Sequence, residues 1–250
     1  MSTITIFPDT ESLISGAADF IAASATRALA ARGRFTLALS GGNTPKPVYA
    51  RLATAAYRDR LDWNRVEIFF GDERGVPPDD PRSNYRMART TLFDQVPMPA
   101  ENIYRMRGEE DPEMAAAAYT DDLQRLFGGD AGAGEPPREG FDLILLGIGD
   151  NGHTASLFPG LAAVTEKKRW VMAQYVEVVG MWRLTLTPVV INAARQVAFL
   201  VSGTSKAAVL HQVLEGPYQP VVLPAQIIRP HSGELLWLLD VAAAARLRQK

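Results

Sequence analysis

The chain has no cysteine and only three histidines, His153, His211 and His231, in 250 residues. The first absence excludes disulfide scaffolds, thiol nucleophiles and cysteine zinc sites. The second restricts a histidine metal site to one where all three converge. Their neighbourhoods argue against that, because His211 lies inside a helical pattern and His231 follows Pro230. No uninterrupted apolar run approaches ~18 residues, so no membrane span is expected. Neither sign of charge dominates: 26 Lys and Arg against 28 Asp and Glu leave a formal charge of −2. Such a chain has no global attraction for nucleic acid or an anionic membrane. The first eight residues, M-S-T-I-T-I-F-P, carry no basic region ahead of an apolar core, and a cytoplasmic protein is expected.

What is present is an alternation of short apolar runs with helical patterns. Strands are expected at Thr3–Phe7, Phe35–Leu39, Val66–Phe70, Phe141–Leu146, Val197–Val201 and Leu235–Leu239, with extended segments at Trp170–Val176 and Arg183–Thr187. Helices are expected at Glu11–Ala31, from Pro45 through Leu52, and at Asn84–Phe93, Glu113–Phe127, Ser205–Leu214 and Val241–Leu247. The strands read as continuous apolar runs rather than alternating ones, which suits a parallel sheet covered on both faces. Repeated βα units then imply right-handed crossovers and a doubly wound, mostly parallel α/β sheet with helices on both faces, a Rossmann-like three-layer arrangement. The flexible stretch Gly128–Gly140 reads as a surface loop rather than a linker, because the same pattern resumes beyond it. One domain over residues 1–250 is therefore expected.

Open parallel sheets bind ligands beyond the carboxyl ends of their strands, and four strands here end in loaded loops. The first is Ser40-Gly41-Gly42-Asn43-Thr44-Pro45. Its glycines admit an anion to the backbone, Asn43 or Thr44 can cap the next helix, and a helix N-terminus there would attract phosphate. It is not a Walker A loop. The second is Gly71-Asp72-Glu73-Arg74, where a guanidinium held by neighbouring carboxylates would make a pre-organised anion ligand. The third, Gly147-Ile148-Gly149-Asp150-Asn151-Gly152-His153-Thr154, fits G-x-G-x-x-G, but Pro159-Gly160 leaves no room for the helix of a dinucleotide site. It gives His153 the best address of the three histidines for acid–base work. The fourth is Ser202-Gly203-Thr204-Ser205-Lys206, with Thr204 or Ser205 capping a helix and Lys206 in its first turn. A cation there opposes the helix dipole at a cost of roughly 0.3–1 kcal/mol. An anionic ligand would explain it, and so would a lysine pointing into water. Lys46 raises the same question. Arg183, at the start of an extended run, is a further candidate phosphate contact. No G-x-S-x-G elbow stands at a strand end, which disfavours a serine nucleophile.

The strings L-A-L-S-G-G-N-T-P, F-F-G-D-E-R-G-V-P-P-D-D-P-R-S-N-Y, L-L-G-I-G-D-N-G-H-T-A-S-L-F-P-G, R-L-T-L-T-P, V-S-G-T-S-K-A and L-P-A-Q-I-I-R-P, in this order, resemble the 6-phosphogluconolactonase family. The resemblance runs from about Phe35 to Pro230. It implies hydrolysis of 6-phospho-D-glucono-1,5-lactone in the oxidative pentose phosphate pathway, with no cofactor and no metal. It also implies a fold shared with amino-sugar-phosphate deaminases and ribose-phosphate isomerases. The family's catalytic histidine falls on His153 and its active-site arginine on Arg74, while its phosphate contacts correspond to the Ser40–Thr44 loop (Ser40, Gly41, Gly42, Asn43, Thr44), Arg183 and Lys206. Asp72, Asp150, Asn151 and Gly152 are supporting positions. Where the family commonly has Asp two residues before the histidine, this chain has Asn151. Either Asp150 takes over or that carboxylate is dispensable.

The implied chemistry is activation of water by His153, with Arg74 or backbone N–H groups near Gly42 or Gly152 stabilising the oxyanion. The nearest rival, an amino-sugar-phosphate isomerase or deaminase, has D-E-Y where this chain has Asp72-Glu73-Arg74, and an acid where this chain has Phe158. A sugar-phosphate-sensing regulator would need a DNA-binding segment, for which the sequence ahead of the first strand leaves no room. The expected partner is a small sugar-phosphate lactone, with no nucleic acid or membrane, in a monomer or weak homo-oligomer.

Overall fold

The computed structural model describes residues 2–248. Along the chain run β1 (Ser2–Phe7), α1 (Thr10–Arg32), β2 (Phe35–Leu39), α2 (Pro45–Leu52), α3 (Ala55–Arg58), β3 (Val66–Phe70), β4 (Asp72–Arg74), α4 (Asn84–Thr91) and α5 (Pro112–Phe127). There follow β5 (Leu143–Leu146), β6 (Val171–Val176), β7 (Met181–Leu186), α6 (Pro188–Ile191), β8 (Gln196–Val201), α7 (Ala207–Glu215), β9 (Glu234–Asp240) and α8 (Val241–Ala244).

Six strands form one parallel sheet in the order β1-β9-β8-β5-β2-β3. Its central strands are buried along almost their whole length because both faces are covered. On β2, Phe35, Leu37 and Leu39 join one cluster with α1, α2 and α4, while Ala38 points into the other. β5 divides the same way, Leu143 and Leu145 against Ile144 and Leu146, the latter pair packing with α5, α6 and α7. The expected three-layer α/β arrangement is therefore present.

Side-chain caps hold several helices at the ends where the sequence suggests them. Asp9 accepts from the Ser12 N–H at 2.7 Å, and Gly33 closes α1 with φ of 76°. Asp111 accepts from the N–H groups of Glu113 and Met114, with Pro112 opening α5. The Gly128–Gly140 segment joins α5 to β5 within this sheet, and Glu139 N–H returns to Phe127 O.

A second sheet was not anticipated. Asp72–Arg74 is not a loop but a strand, β4, antiparallel to β7, which pairs in turn with β6. The helix expected at Ser205 begins instead at Ala207, after a 3-10 turn over Thr204–Lys206. No α-helix stands between β5 and β6; the chain passes through a 3-10 turn at Ala162–Thr165 into the small sheet. Among the described residues, no helix is long and apolar enough to cross a membrane.

Candidate active site

The strand order reverses at β2: the chain passes from β2 to β3 on one side and resumes at β5 on the other. Such switch points leave a crevice beyond the strand ends. A cavity of about 200 Å³ opens there, lined by the loops after β2 and β5 and by β4 and β7. It is small for a ligand site and has the scale of one sugar ring rather than a dinucleotide. Of the residues expected at the site, Ser40, Gly41, Gly42, Asp72, Arg74, His153 and Arg183 line it.

The loop after β5 aims His153. Gly152 N–H donates to Gly149 O and Gly149 N–H to His153 O, closing a tight turn. Gly152 takes φ of 78°, which favours glycine. The Gly152 N–H is thus used inside the turn. Asn151 Oδ1 lies 3.2 Å from the backbone N of His153 and 2.6 Å from its Nδ1. The backbone N–H can only donate, so the amide atom facing it is the oxygen. The same oxygen then requires Nδ1 to carry the proton, which leaves Nε2 with a free lone pair. The ring stacks on Phe158, centroids 4.1 Å apart and planes 17° from parallel. Burial pulls His153 below the ordinary imidazole pKa; Asp72 opposes this, and Lys206 and Arg183 add to it.

β4 and β7 supply the charges. Their register sets Arg74 opposite Arg183 and Asp72 opposite Thr185. Residues directly opposite share a face, so two guanidinium groups stand side by side, an arrangement that is unfavourable without an anion. The Nε atoms of both arginines are buried without a hydrogen-bond partner. Burial lowers the Arg183 pKa, Asp72 opposes, and Arg74 lowers it further; a guanidinium nonetheless stays charged. Asp72 is itself buried and accepts from Ser156 Oγ at 2.7 Å and Asn84 Nδ2 at 3.2 Å.

Strand alternation corrects the reading of Glu73 as a neighbour that holds Arg74. Glu73 points to the opposite face, where it accepts from Ser83 Oγ and from the N–H groups of Asn84 and Tyr85 that open α4. Burial raises its pKa against those hydrogen bonds. Arg74 Nη1 instead donates to the carbonyl oxygen of Arg82.

Other expected residues lie beside the cleft. Lys206 occupies the N-cap of α7 and reaches Asp150, Nζ to Oδ1 2.6 Å, and this ammonium holds Asp150 below the usual carboxylate range. Asp150 is thus engaged with Lys206 and does not replace the missing carboxylate beside His153; Asn151 is the residue that holds the ring. Thr44 is the N-cap of α2, but its side chain makes no cap and lies 3.0 Å from Ser202 Oγ, tying the β2 and β8 loops together. Pro45 and Pro47 remove two N–H donors from the first turn of α2. An anion at this helix end would rely on Gly41 and Gly42 N–H groups and on side chains. Asn43 faces a neighbouring cavity with Lys46. His211 lies 3.0 Å from Glu215 within α7, and His231 N–H donates to Asn192 O; neither lines the cleft. Among the described residues no group of three or more His, Cys, Asp or Glu is placed to hold a metal ion.

Sequence reasoning missed Phe158 as the ring partner of His153, Ser156 as the donor to Asp72, and Ala155, which lines the cleft with φ of 46°. None bears a local signal: each acquires its place only when β5, β4 and the turn between Thr154 and Leu157 assemble.

Residues 8–237 match the family model described as "Glucosamine-6-phosphate isomerases/6-phosphogluconolactonase". A 6-phosphogluconolactonase of Nostoc sp. is 42% identical over 246 residues, 98% of each chain. One from Synechocystis sp. is 47% identical over 89% of each. The solved structure of 6-phosphogluconolactonase from Trypanosoma brucei superposes with a TM-score of 0.86 at 30% identity, covering 99% of both chains. With this coverage, and with the strand order and loops described above, the chain belongs to the glucosamine-6-phosphate isomerase/6-phosphogluconolactonase family.

Proposed function

We propose that this protein hydrolyses 6-phospho-D-glucono-1,5-lactone to 6-phospho-D-gluconate, with His153 as general base. The observation that carries the reading is the imidazole itself: Nδ1 pinned by Asn151, Nε2 free, and the ring at a cleft that also holds two arginines whose buried Nε atoms lack acceptors. The names of the relatives at high coverage support it. So does Phe158, whose phenyl ring stacks where the deaminase pattern calls for an acid.

A lactone is an activated ester, so deprotonated water suffices as nucleophile. Nε2 takes a proton from water as the oxygen attacks C1. Arg74 is suited to the negative charge formed on the carbonyl oxygen. The bond from C1 to the ring oxygen then breaks, and Nε2–H returns its proton to that oxygen. Arg183, the Ser40–Thr44 loop and Lys206 hold the phosphate, whose remote binding positions C1. For Lys206 this requires the ammonium to be shared between the phosphate and Asp150. Lys206→Ala is therefore expected to raise KM several-fold or more with kcat little changed, measured by initial rates; an unchanged KM removes Lys206 from the phosphate site.

The pH dependence has a definite sign. A general base works unprotonated, so kcat/KM falls as pH drops through the free-enzyme pKa of His153. That pKa is held below the ordinary value, so the acid limb lies below about 6.5. Asn151→Asp moves the limb upward, because a carboxylate stabilises imidazolium and an amide does not. A limb above that value in the unsubstituted protein contradicts the assignment.

The reading is tested by generating the lactone in situ from glucose 6-phosphate and following acid release above the uncatalysed rate. Ammonia release from glucosamine 6-phosphate, without lactone hydrolysis, would favour the deaminase instead.

A further inference from the structure

Beside the cleft, sharing Arg74 with it, a second cavity of about 420 Å³ is lined by Gly42, Asn43, Lys46, Arg74 and Arg86 together with other residues of α4 and the segment before it. Three cations face it and no carboxylate does. Two acids of the neighbouring segments are engaged elsewhere. Asp80, whose charge Arg86 feels, is held by Arg82 through bonds of 2.9 and 2.8 Å. Glu73 is buried beneath α4, accepting its N-terminal N–H groups. Lys46 and Arg86 form no ion pair within 4.0 Å among the described residues. Clustering cations without counter-charge costs free energy through mutual repulsion, and a bound anion would relieve it.

Two further observations point to a ligand. Arg74 lines both cavities, and its Nε is buried with no acceptor, so a charged donor stands unsatisfied at the partition. Gly42, with φ of 106°, also borders both and has no side chain of its own to stand between them. The first cavity has the scale of one sugar ring, and the mechanism proposed above uses neither Lys46 nor Arg86 of the second.

We propose that Lys46 and Arg86, sharing Arg74 with the cleft, form a second anion subsite that takes the second phosphate of a small doubly phosphorylated sugar. A ligand bridging the two subsites binds in place of substrate, so a bisphosphate is a competitive inhibitor that a monophosphate cannot match. The inference rests on the cleft's reading as a sugar-phosphate site, but its test does not depend on turnover.

Calorimetric titrations with glucose 1,6-bisphosphate and with glucose 6-phosphate provide that test, on the unsubstituted protein and on K46A/R86A. The bisphosphate is expected to bind the unsubstituted protein about tenfold or more tighter, the scale of one added charge-assisted contact. K46A/R86A is expected to bring the two affinities within about twofold of each other while leaving glucose 6-phosphate binding and lactone turnover unchanged. A preference for the bisphosphate that survives K46A/R86A overturns the proposal, as does equal binding, or no binding, of both ligands by the unsubstituted protein. A protein that shows the preference but hydrolyses no lactone keeps the subsite and refutes the lactonase; one that hydrolyses lactone without the preference does the reverse.

Discussion

Replacing His153 with alanine lowers kcat by two or more orders of magnitude while binding of 6-phosphogluconate stays near its original level. The size follows from the work of a positioned base, about 10²–10⁴-fold. The separation of rate from binding follows from the geometry. The imidazole stands at the β5 loop, while the arginines that face the anion come from β4 and β7. Truncating the ring removes a proton acceptor and leaves the guanidinium pair in place. Fold loss is not expected to confuse the result, since the ring, though partly buried, belongs to a loop and its Nδ1–H bond ends on exposed Asn151. The measurement pairs initial rates of acid release with a calorimetric titration of the product. A kcat within a few-fold of the original removes His153 from the chemistry, and the Asn151–His153 pair would then be a turn device only.

The second large effect is expected at a residue that bears no functional group. A Cβ added at Gly149 would stand 2.0 Å from Cε1 and 2.1 Å from Nδ1 of His153. Nothing survives at that separation, and the flexible partner gives way, so Gly149→Ala swings the imidazole off Asn151 and off the Phe158 face. A displacement of about 1 Å in a catalytic group can cost roughly a hundredfold in rate, and that is the loss expected in kcat. Stability is expected to change little. The obstruction is a side-chain end rather than backbone, and Gly149 is not among the glycines with positive φ. Activity and a thermal melt on the same preparation decide it. Full activity in Gly149→Ala shows that the ring need not hold this position; a collapse of the melt shows instead that the turn is structural.

Taken together, the two variants separate the imidazole as a chemical group from the imidazole as a placed group. Equal losses in both mean that placement is the whole of its contribution. A smaller loss in Gly149→Ala means that the displaced ring still reaches water.

Much of the frame was legible in the sequence because its signals are local. Phe35–Leu39, Pro45–Leu52 and Val66–Phe70 occur with the boundaries expected of them, since a continuous apolar run or a Pro-opened helix announces itself within a few residues. The loops that meet at the cleft follow from the same reading: parallel strands carry their C-terminal ends to one edge, and His153, Ser40 and Gly41 arrive there together. The strand β4 escaped notice because D-E-R has none of the β-branched or aromatic residues that mark a strand. It is extended only because β7, far along the chain, offers it a hydrogen-bonding partner.

The sequence by itself determined the three-layer parallel frame, the glycine loops at its edge and the identity of the histidine that faces them, because apolar period and turn chemistry act over a few residues. Only the tertiary structure decided that Arg74 stands against Arg183, that Glu73 turns away to cap α4, and that Lys206 reaches Asp150. Those pairings depend on strand register and on loops meeting across the sheet, and a shift of one residue in the β4–β7 register would carry Arg74 to the opposite face.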